Sequence, residues 1–302
     1  MSTPKRVIAL GFFDGVHKGH GALLRTVAQA ADRLGAMPCA FTFDRSPTAA
    51  ITGQTVPLLS SVEDRGWLMR SRYGIQEVVV SNFDGMMRMD WEDFVDRYLA
   101  EELGSVHVVA GHDFHFGYMG KGNPRRLQEK CAQLGIGCDI IPKVEVAGIT
   151  VSSTYIRRLV ELGQISRANR FLGHPHTLTG TVRHGRGIGS SQLFPTANLI
   201  IPPHVLVPSH GVYATRATLE DGSCYAAVTN VGTRPTVSDS GSVSIETFLL
   251  GFDGDLYGKR IRLEFCRRLR EEKKFDTPQQ LKDEIEKNIA QTREYFRETG
   301  EA

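Results

Sequence analysis

The chain has 302 residues, 41% hydrophobic and 23% charged, with a formal net charge of +2, which is ordinary for a soluble globular protein long enough for two domains. So small a charge leaves no electrostatic footprint for a nucleic-acid groove, and no stretch reaches the roughly 18 consecutive apolar residues of a spanning helix, so neither nucleic acid nor membrane is expected as a partner. The first residues lead straight into a strand without a signal peptide's apolar core. The five cysteines (Cys39, Cys131, Cys138, Cys224, Cys266) are scattered with no CxxC, so the expectation is a cytoplasmic protein with reduced thiols.

From Val7 to about Leu162 short apolar runs alternate with amphipathic segments, an α/β pattern that implies a mainly parallel sheet. Val7 to Leu10, Pro38 to Phe43, Glu77 to Val80, Val106 to Ala110 and Gly137 to Ile141 read as strands. Ala22 to Leu34, Val62 to Arg72, Asp90 to Leu103 and Arg125 to Leu134 read as helices. Ligands of open parallel sheets lie beyond the carboxyl ends of the strands. The loops Gly11 to His20, Thr42 to Pro47 and Gly111 to Gly117 are therefore expected to converge on one crevice. A helix near Thr154 to Gly163 and the segment Arg167 to His176 lead into Leu178 to Val182, Gly211 to Thr218, Cys224 to Val231, Ser244 to Leu250 and Ile261 to Phe265, short runs that predict a small antiparallel barrel or sandwich. The basic run Arg267, Arg268, Arg270, Lys273 and Lys274, interrupted by Glu271 and Glu272, reads equally as a solvated helical face. A helix over Pro278 to Phe296 follows, with Thr277 as its cap.

The run GFFDGVHKGH, Gly11 to His20, has the form of a strand, a tight turn and a helix start, the arrangement that favours bound phosphate. Gly11, Gly15 and Gly19 would let backbone approach the ligand, with Phe12 and Phe13 in the same turn, and His17 and His20 would donate to charge on phosphoryl oxygens. Two other readings are open: a plain turn with solvated histidines, or a metal site of Asp14, His17 and His20. In Ala110 to Gly117, Asp113 alternates with Phe114 and Phe116, which suits either a wall for a planar ring or simple core. In Val151 to Arg158, the hydroxyls of Ser153 and Thr154 with Arg157 suit phosphate or ordinary capping.

Downstream, Thr196 and Asn198 stand two residues apart in FPTANL, so an extended chain points both to one face. As hard oxygen donors they suit Mg²⁺ with nucleotide phosphate, and a local turn is the alternative. Glu246 alternates with Phe248 and Leu250, an apolar setting expected to raise its pKa and make it a candidate general base. Gly185, Gly187 and Gly189 could wrap phosphate through backbone N–H groups.

Together these residues resemble the bacterial bifunctional riboflavin kinase/FMN adenylyltransferase family, also called FAD synthetase. GFFDGVHKGH, GHDFHFG and SSTYIR resemble its nucleotidyltransferase motifs. FPTANL, VGTRPT, Glu246 with Thr247, FDGDLYGK and LREEKKF resemble its kinase module. The resemblance implies a Rossmann-like nucleotidyltransferase domain with a parallel sheet over 1–173, then a riboflavin kinase β-barrel with a C-terminal helix over 174–302. It implies Mg²⁺, ATP as co-substrate, and riboflavin, FMN and FAD as substrates or products. It also implies Glu246 as base, Thr196 and Asn198 on Mg·ATP, His17 and His20 on the triphosphate, Ser153, Thr154 and Arg157 on phosphates, and Asp113, Phe114, Phe116 and Arg270 on the flavin. The chain departs from the family pattern at Ser190 to Leu193, at Phe248 with Gly251 and Phe252, and at Arg45 and Ser46 within Thr42 to Pro47. A monofunctional adenylyltransferase with a degenerate kinase module and a non-catalytic flavin-binding paralogue are therefore the alternatives.

Overall fold

The computed structural model describes residues 4–183, 195–233 and 243–300. It divides into two compact units, Met1–Leu58 with Val62–Ser153, and Leu59–Ser61 with Thr154–Ala302.

In the first unit, β1 (Arg6–Leu10), β2 (Met37–Phe43), β3 (Glu77–Ser81), β4 (Ser105–Gly111) and β5 (Gly137–Ile141) form a parallel sheet in the order β3-β2-β1-β4-β5. β1 is apolar throughout because both of its faces are covered. Val7 and Ala9 pack with Leu24, Val27, Leu68 and Met69 of α1 (Lys18–Leu34) and α3 (Val62–Tyr73). Ile8 and Leu10 pack on the opposite face with Phe94, Val95, Leu99, Leu127 and Cys131. Burial of each such aliphatic side chain contributes about 1.5–3 kcal/mol. Between the main elements lie α2 (Pro47–Thr52), capped by Ser46, α4 (Phe83–Met86), capped by Asn82, and α5 (Trp91–Asp93), capped by Asp90. α6 (Pro124–Gln133) starts on Asn123, and β6 (Glu145–Val146) and β7 (Ile149–Thr150) form a small hairpin.

The helix expected over Asp90 to Leu103 is different. After α5 the chain continues as a π-helical stretch over Phe94–Glu102, and the Leu103 N–H donates to the Tyr98 carbonyl. The wider turn brings Phe94 and Leu99, five apart, to the same core.

In the second unit, α7 (Ser153–Glu161) and α8 (Ile165–Leu172) precede β8 (His176–Arg183), β9 (Ala197–Ile200), β10 (Gly211–Leu219), β11 (Cys224–Thr233), β12 (Val243–Leu249) and β13 (Arg260–Arg270). The strands close as an antiparallel barrel in the order β10-β11-β12-β9-β8-β13, with β13 pairing back to β10. β13 runs through Arg267, Arg268 and Arg270, so the basic run lies partly on a strand and not on a helical face. α9 (Pro278–Thr299) is capped by the Thr277 hydroxyl, as its sequence predicts. Compactness separates the units after Ser153, whereas the sequence suggests a division after 173. Asn169 of α8 accounts for the difference: its amide donates to the Phe265 carbonyl at 2.8 Å and its oxygen accepts from the His176 N–H at 2.9 Å, tying α8 to two barrel strands.

Inside the barrel, Tyr213 meets Phe265 edge to face at 5.4 Å, and three threonines form a hydroxyl chain. Thr215 bonds the Ala227 carbonyl at 3.2 Å and the Thr229 hydroxyl at 2.7 Å, and Thr229 bonds Thr247. All three side chains are fully buried, so each hydroxyl depends on its neighbour. Thr229→Val keeps the shape but leaves Thr247 without its partner. It is expected to cost about 1–3 kcal/mol, measured as a lower urea midpoint for the barrel unit with an unchanged denaturant slope.

Candidate active sites

The strand order of the first unit reverses between β1 and β4, and the crevice at such a switch point is where a ligand fits an open parallel sheet. A cleft of about 970 Å³ opens there. Residues from all three expected loops line it: Gly11, Phe12, Phe13, His17, Gly19 and His20 after β1, Phe43 and Pro47 after β2, and Gly111 to Gly117 after β4. Ser153, the last residue of the first unit, also lines it and donates to the Asp14 carbonyl at 3.0 Å.

The turn is tightly shaped. Phe13, Gly15 and Val16 have φ of 57°, 76° and 41°. His17 caps α1, its Nδ1 accepting the His20 N–H at 3.2 Å. A neutral His17 must therefore carry its proton on Nε2, where it can donate to a ligand. The His17 and His20 rings stack at 3.6 Å with 10° between their planes. Gly19 leaves room for this stack: a Cβ there would stand 3.1 Å from the His17 ring and press on it. Burial, followed by the neighbouring His17 and Arg65 charges, holds the His20 pKa well below its ordinary value, so His20 is neutral at physiological pH. Among the described residues no group of three or more His, Cys, Asp or Glu is placed to hold a metal, which removes the support for a centre of Asp14, His17 and His20.

On the opposite wall, Phe114 and Phe116 stack at 5.5 Å, and Phe116 packs on Phe94 at 5.2 Å. Both phenylalanines are at once core and cleft wall. Asp113 is 81% exposed, with its carbonyl 2.9 Å from His115 Nδ1. Met86, Met87, Met89 and Met119 extend the wall. Sequence reading passes over them, because methionines in loops and short helices carry no periodic signal. It also passes over Arg65, which lies fully buried behind the turn. Arg65 donates to the Phe12 carbonyl at 2.5 Å, the Thr42 hydroxyl at 3.2 Å and the Phe43 carbonyl at 3.2 Å. Burial lowers its pKa to about 10, so it remains a cation. Thr154 and Arg157 follow on α7 and belong to the second unit, where the Arg157 guanidinium is 3.5 Å from the Thr154 hydroxyl.

In the barrel, register makes the site. Asn198 lies opposite Arg183 on one side and Glu246 on the other, Glu246 opposite Asn230, Asn230 opposite Val212, and Val212 opposite Arg270. Directly opposed residues share a face, with Cβ atoms about 4.5–5.5 Å apart. Ala197, Leu199, Ile245 and Thr247 point inward and are buried, so Asn198 and Glu246 belong to the outer face. Thr196, two residues before Asn198, is exposed. The apolar setting expected for Glu246 is only half present. Phe248 and Leu250 do pack on a cluster with Ile285 and Ile289 of α9, but the cross-strand neighbours of Glu246 are the amides Asn198 and Asn230. Arg270 is held by α9. Its Nε donates to Asn288 at 3.1 Å and stands 3.4 Å from a Glu284 oxygen, and the guanidinium lies 5.6 Å from the centre of the Phe275 ring. Gly185, Gly187, Gly189 and the Ser190 to Leu193 departure lie outside the described residues.

Comparison with known proteins covers both units. A family model described as FAD synthetase matches residues 1–155, and one described as riboflavin kinase matches 172–296. Bifunctional riboflavin kinase/FMN adenylyltransferases of Pseudomonas fluorescens and Listeria monocytogenes are each 34% identical, over 95% and 96% of this chain and 92% of each of theirs. That of Bacillus subtilis is 33% identical over 97% of this chain and 93% of its own. A crystal structure from Streptococcus pneumoniae, described as a macrolide-efflux protein, matches with a TM-score of 0.83 at 27% identity, covering 97% of this chain and 95% of that one. Among the described residues here, no helix is long and apolar enough to cross a membrane.

The neutral state of His20 has a direct readout. In an unfolded chain the ring takes a proton near 6.5 (roughly,), whereas in the fold it does so only well below that value. The stability tied to this group is therefore complete above about 6.5 and is lost as the pH falls toward the folded value. The His20 ring resonance, assigned by its loss in His20→Gln, is expected to stay constant between about pH 7.5 and 6. A midpoint at 6.5 or above would contradict the neutral ring.

Proposed function

Since the chain belongs to the bifunctional riboflavin kinase/FMN adenylyltransferase family and has both activities, we propose that the barrel makes FMN and the N-terminal cleft converts it to FAD. The cross-strand row of the barrel carries the residue assignment, because it aligns a carboxylate between two amides on a face that no apolar residue of the same row except Val212 interrupts.

In the kinase reaction a ribityl hydroxyl of riboflavin attacks the γ-phosphorus of ATP and ADP leaves. Glu246 accepts the hydroxyl proton as the new P–O bond forms. Thr196 and Asn198 offer hard oxygens of the kind Mg²⁺ takes, and Asn198 stands opposite Glu246, where phosphate and hydroxyl must meet. The ion, when bound, supplies neutralisation of the phosphate charge. Asn230 offers a donor on the other flank of Glu246, and Arg270, fixed by Asn288 and Glu284, borders the flavin.

In the adenylyl transfer an FMN phosphate oxygen attacks the α-phosphorus of ATP, the bond to the β-phosphate breaks and pyrophosphate leaves. His17 and His20, with the N–H groups of the turn at Phe12, Phe13 and Gly19, stabilise charge on the triphosphate, while Gly11, whose N–H donates to the Phe41 carbonyl at 3.2 Å, and Gly15 let the backbone approach it. Ser153, Thr154 and Arg157 hold phosphates, Asp113 orients the substrates, and Phe114 with Phe116 walls the isoalloxazine. The functional division is taken at 173/174. The proposal includes the cytoplasm as the site of action, with small molecules as the partners, consistent with five free thiols and a net charge of +2.

The two sites should separate. With ATP and Mg²⁺, and riboflavin or FMN as the starting flavin, chromatography of riboflavin, FMN and FAD is expected to show His20→Ala losing FAD formation about 10²-fold with FMN formation intact. Glu246→Gln is expected to lose FMN formation about 10²–10⁴-fold with FAD formation from FMN intact. Loss of both activities from either change would point to one shared site. Chelation by EDTA is expected to stop both reactions and added Mg²⁺ to restore them; persistence of either in EDTA would remove the metal from that reaction.

A further inference from the structure

We infer that Arg65 is a positioning residue for adenylyl transfer: from behind the glycine turn it fixes the backbone that aims His17 and His20 into the cleft. The inference rests on the assignment of that turn proposed above. Arg65 does not line the cleft, so it acts through other residues.

Its contacts lead to the histidines in steps. Nη1 reaches the Phe12 carbonyl at 2.5 Å, and the Thr42 hydroxyl reaches the same oxygen at 2.8 Å. Nη1 also lies 3.2 Å from that hydroxyl, Nη2 donates to the Phe43 carbonyl at 3.2 Å, and the guanidinium lies 4.4 Å from the centre of the Phe12 ring. The next residue, Phe13, is left-handed at φ 57°, and Val16, a β-branched residue, is at φ 41°. Such conformations are strained and persist only where the surroundings over-determine them. The Phe13 ring, fully buried, meets the His20 ring edge to face at 5.2 Å. A turn with its first carbonyl released would relax Phe13 and withdraw the support behind His20.

Packing alone does not explain the choice of residue. A buried cation carries a desolvation penalty, which an apolar side chain would avoid. What arginine adds is a rigid fork that spans the ends of β1 and β2 at once.

The test uses the whole enzyme with Arg65→Met and Arg65→Lys, and His20→Ala alongside. For Arg65→Met, kcat for FMN adenylylation is expected to fall about 10–10²-fold, the loss a misplacement of order 1 Å produces. KM for FMN should stay within about twofold, because removal of a contact made only in the transition state lowers kcat without changing ground-state binding. Arg65→Lys, which keeps the charge and one donor, should recover part of the rate. Riboflavin phosphorylation should be unchanged in both. Parent rates in Arg65→Met, a rise in KM with kcat kept, or loss of FMN binding together with rate in both variants would each overturn the inference. If His20→Ala also keeps the parent rate, it is the assignment of the turn that fails; if His20→Ala loses the rate while Arg65→Met keeps it, the assignment stands and only Arg65 is misread.

Discussion

β1 is hydrogen-bonded along both edges, to β2 and to β4, and covered on both faces, so its backbone has no freedom before Leu10. All adjustment needed to enter α1 falls within the few residues that follow. The left-handed residues, the histidine cap and the stacked imidazole pair are concentrated there. A parallel strand buried on both sides is the most rigid platform this fold offers. The same rigidity forces the next turn to be tight and gives the cleft a wall whose polar atoms cannot drift. The strand order then sets the other wall, since reversal beside β1 places the loop after β4 across the opening.

The barrel fixes its site by a different constraint. Pairing in an antiparallel sheet has a period of two, so one register decides which residues of every strand meet on the outer face. Asn198, Glu246 and Asn230 come from three strands and become neighbours because the barrel closes in one register. The buried threonine chain on the inner face helps to set that register: a slip by one residue would turn Thr215, Thr229 and Thr247 outward and bring Asn198 and Glu246 into an apolar interior. The two faces of these strands therefore depend on the same pairing.

Much of the fold is legible in the residues. The five apolar runs of the first unit are its five strands to within a residue or two: the central β1, β2 and β4, largely buried, read as continuous hydrophobic segments, and the half-buried edges β3 and β5 keep a shorter version of the same pattern. The convergence of three loops follows from topology alone, and the cleft contains residues of all three. The π-helical stretch is hidden because its apolar positions also suit an ordinary helix. Asn230 is hidden because its importance comes from the strand beside it. Arg65 is hidden because an arginine amid Glu63, Asp64 and Arg70 reads as the solvated face of a helix. The setting of Glu246 is read half correctly: periodicity along one strand reveals Phe248 and Leu250, but the amides opposite it belong to other strands.

The balance of charge explains why so little of the chemistry is announced by basic residues. ATP and FMN are polyanions, yet the net charge is only +2, Lys143 is the one lysine or arginine among the described residues lining the cleft, and the N-terminal turn that faces it presents neutral His20, a capping His17 and backbone N–H groups. Oriented dipoles of this kind act at short range and only in the correct geometry. A lysine such as Lys143, which lines the cleft, attracts anions from a distance but binds every arrangement of phosphate nearly alike. Fixed dipoles discriminate by shape, and in the proposed adenylyl transfer they would gain most where charge moves onto the pyrophosphate. That design makes the turn's geometry decisive, and a buried, permanently charged arginine behind it is then placed where its field and its fork both serve the same few ångströms of backbone.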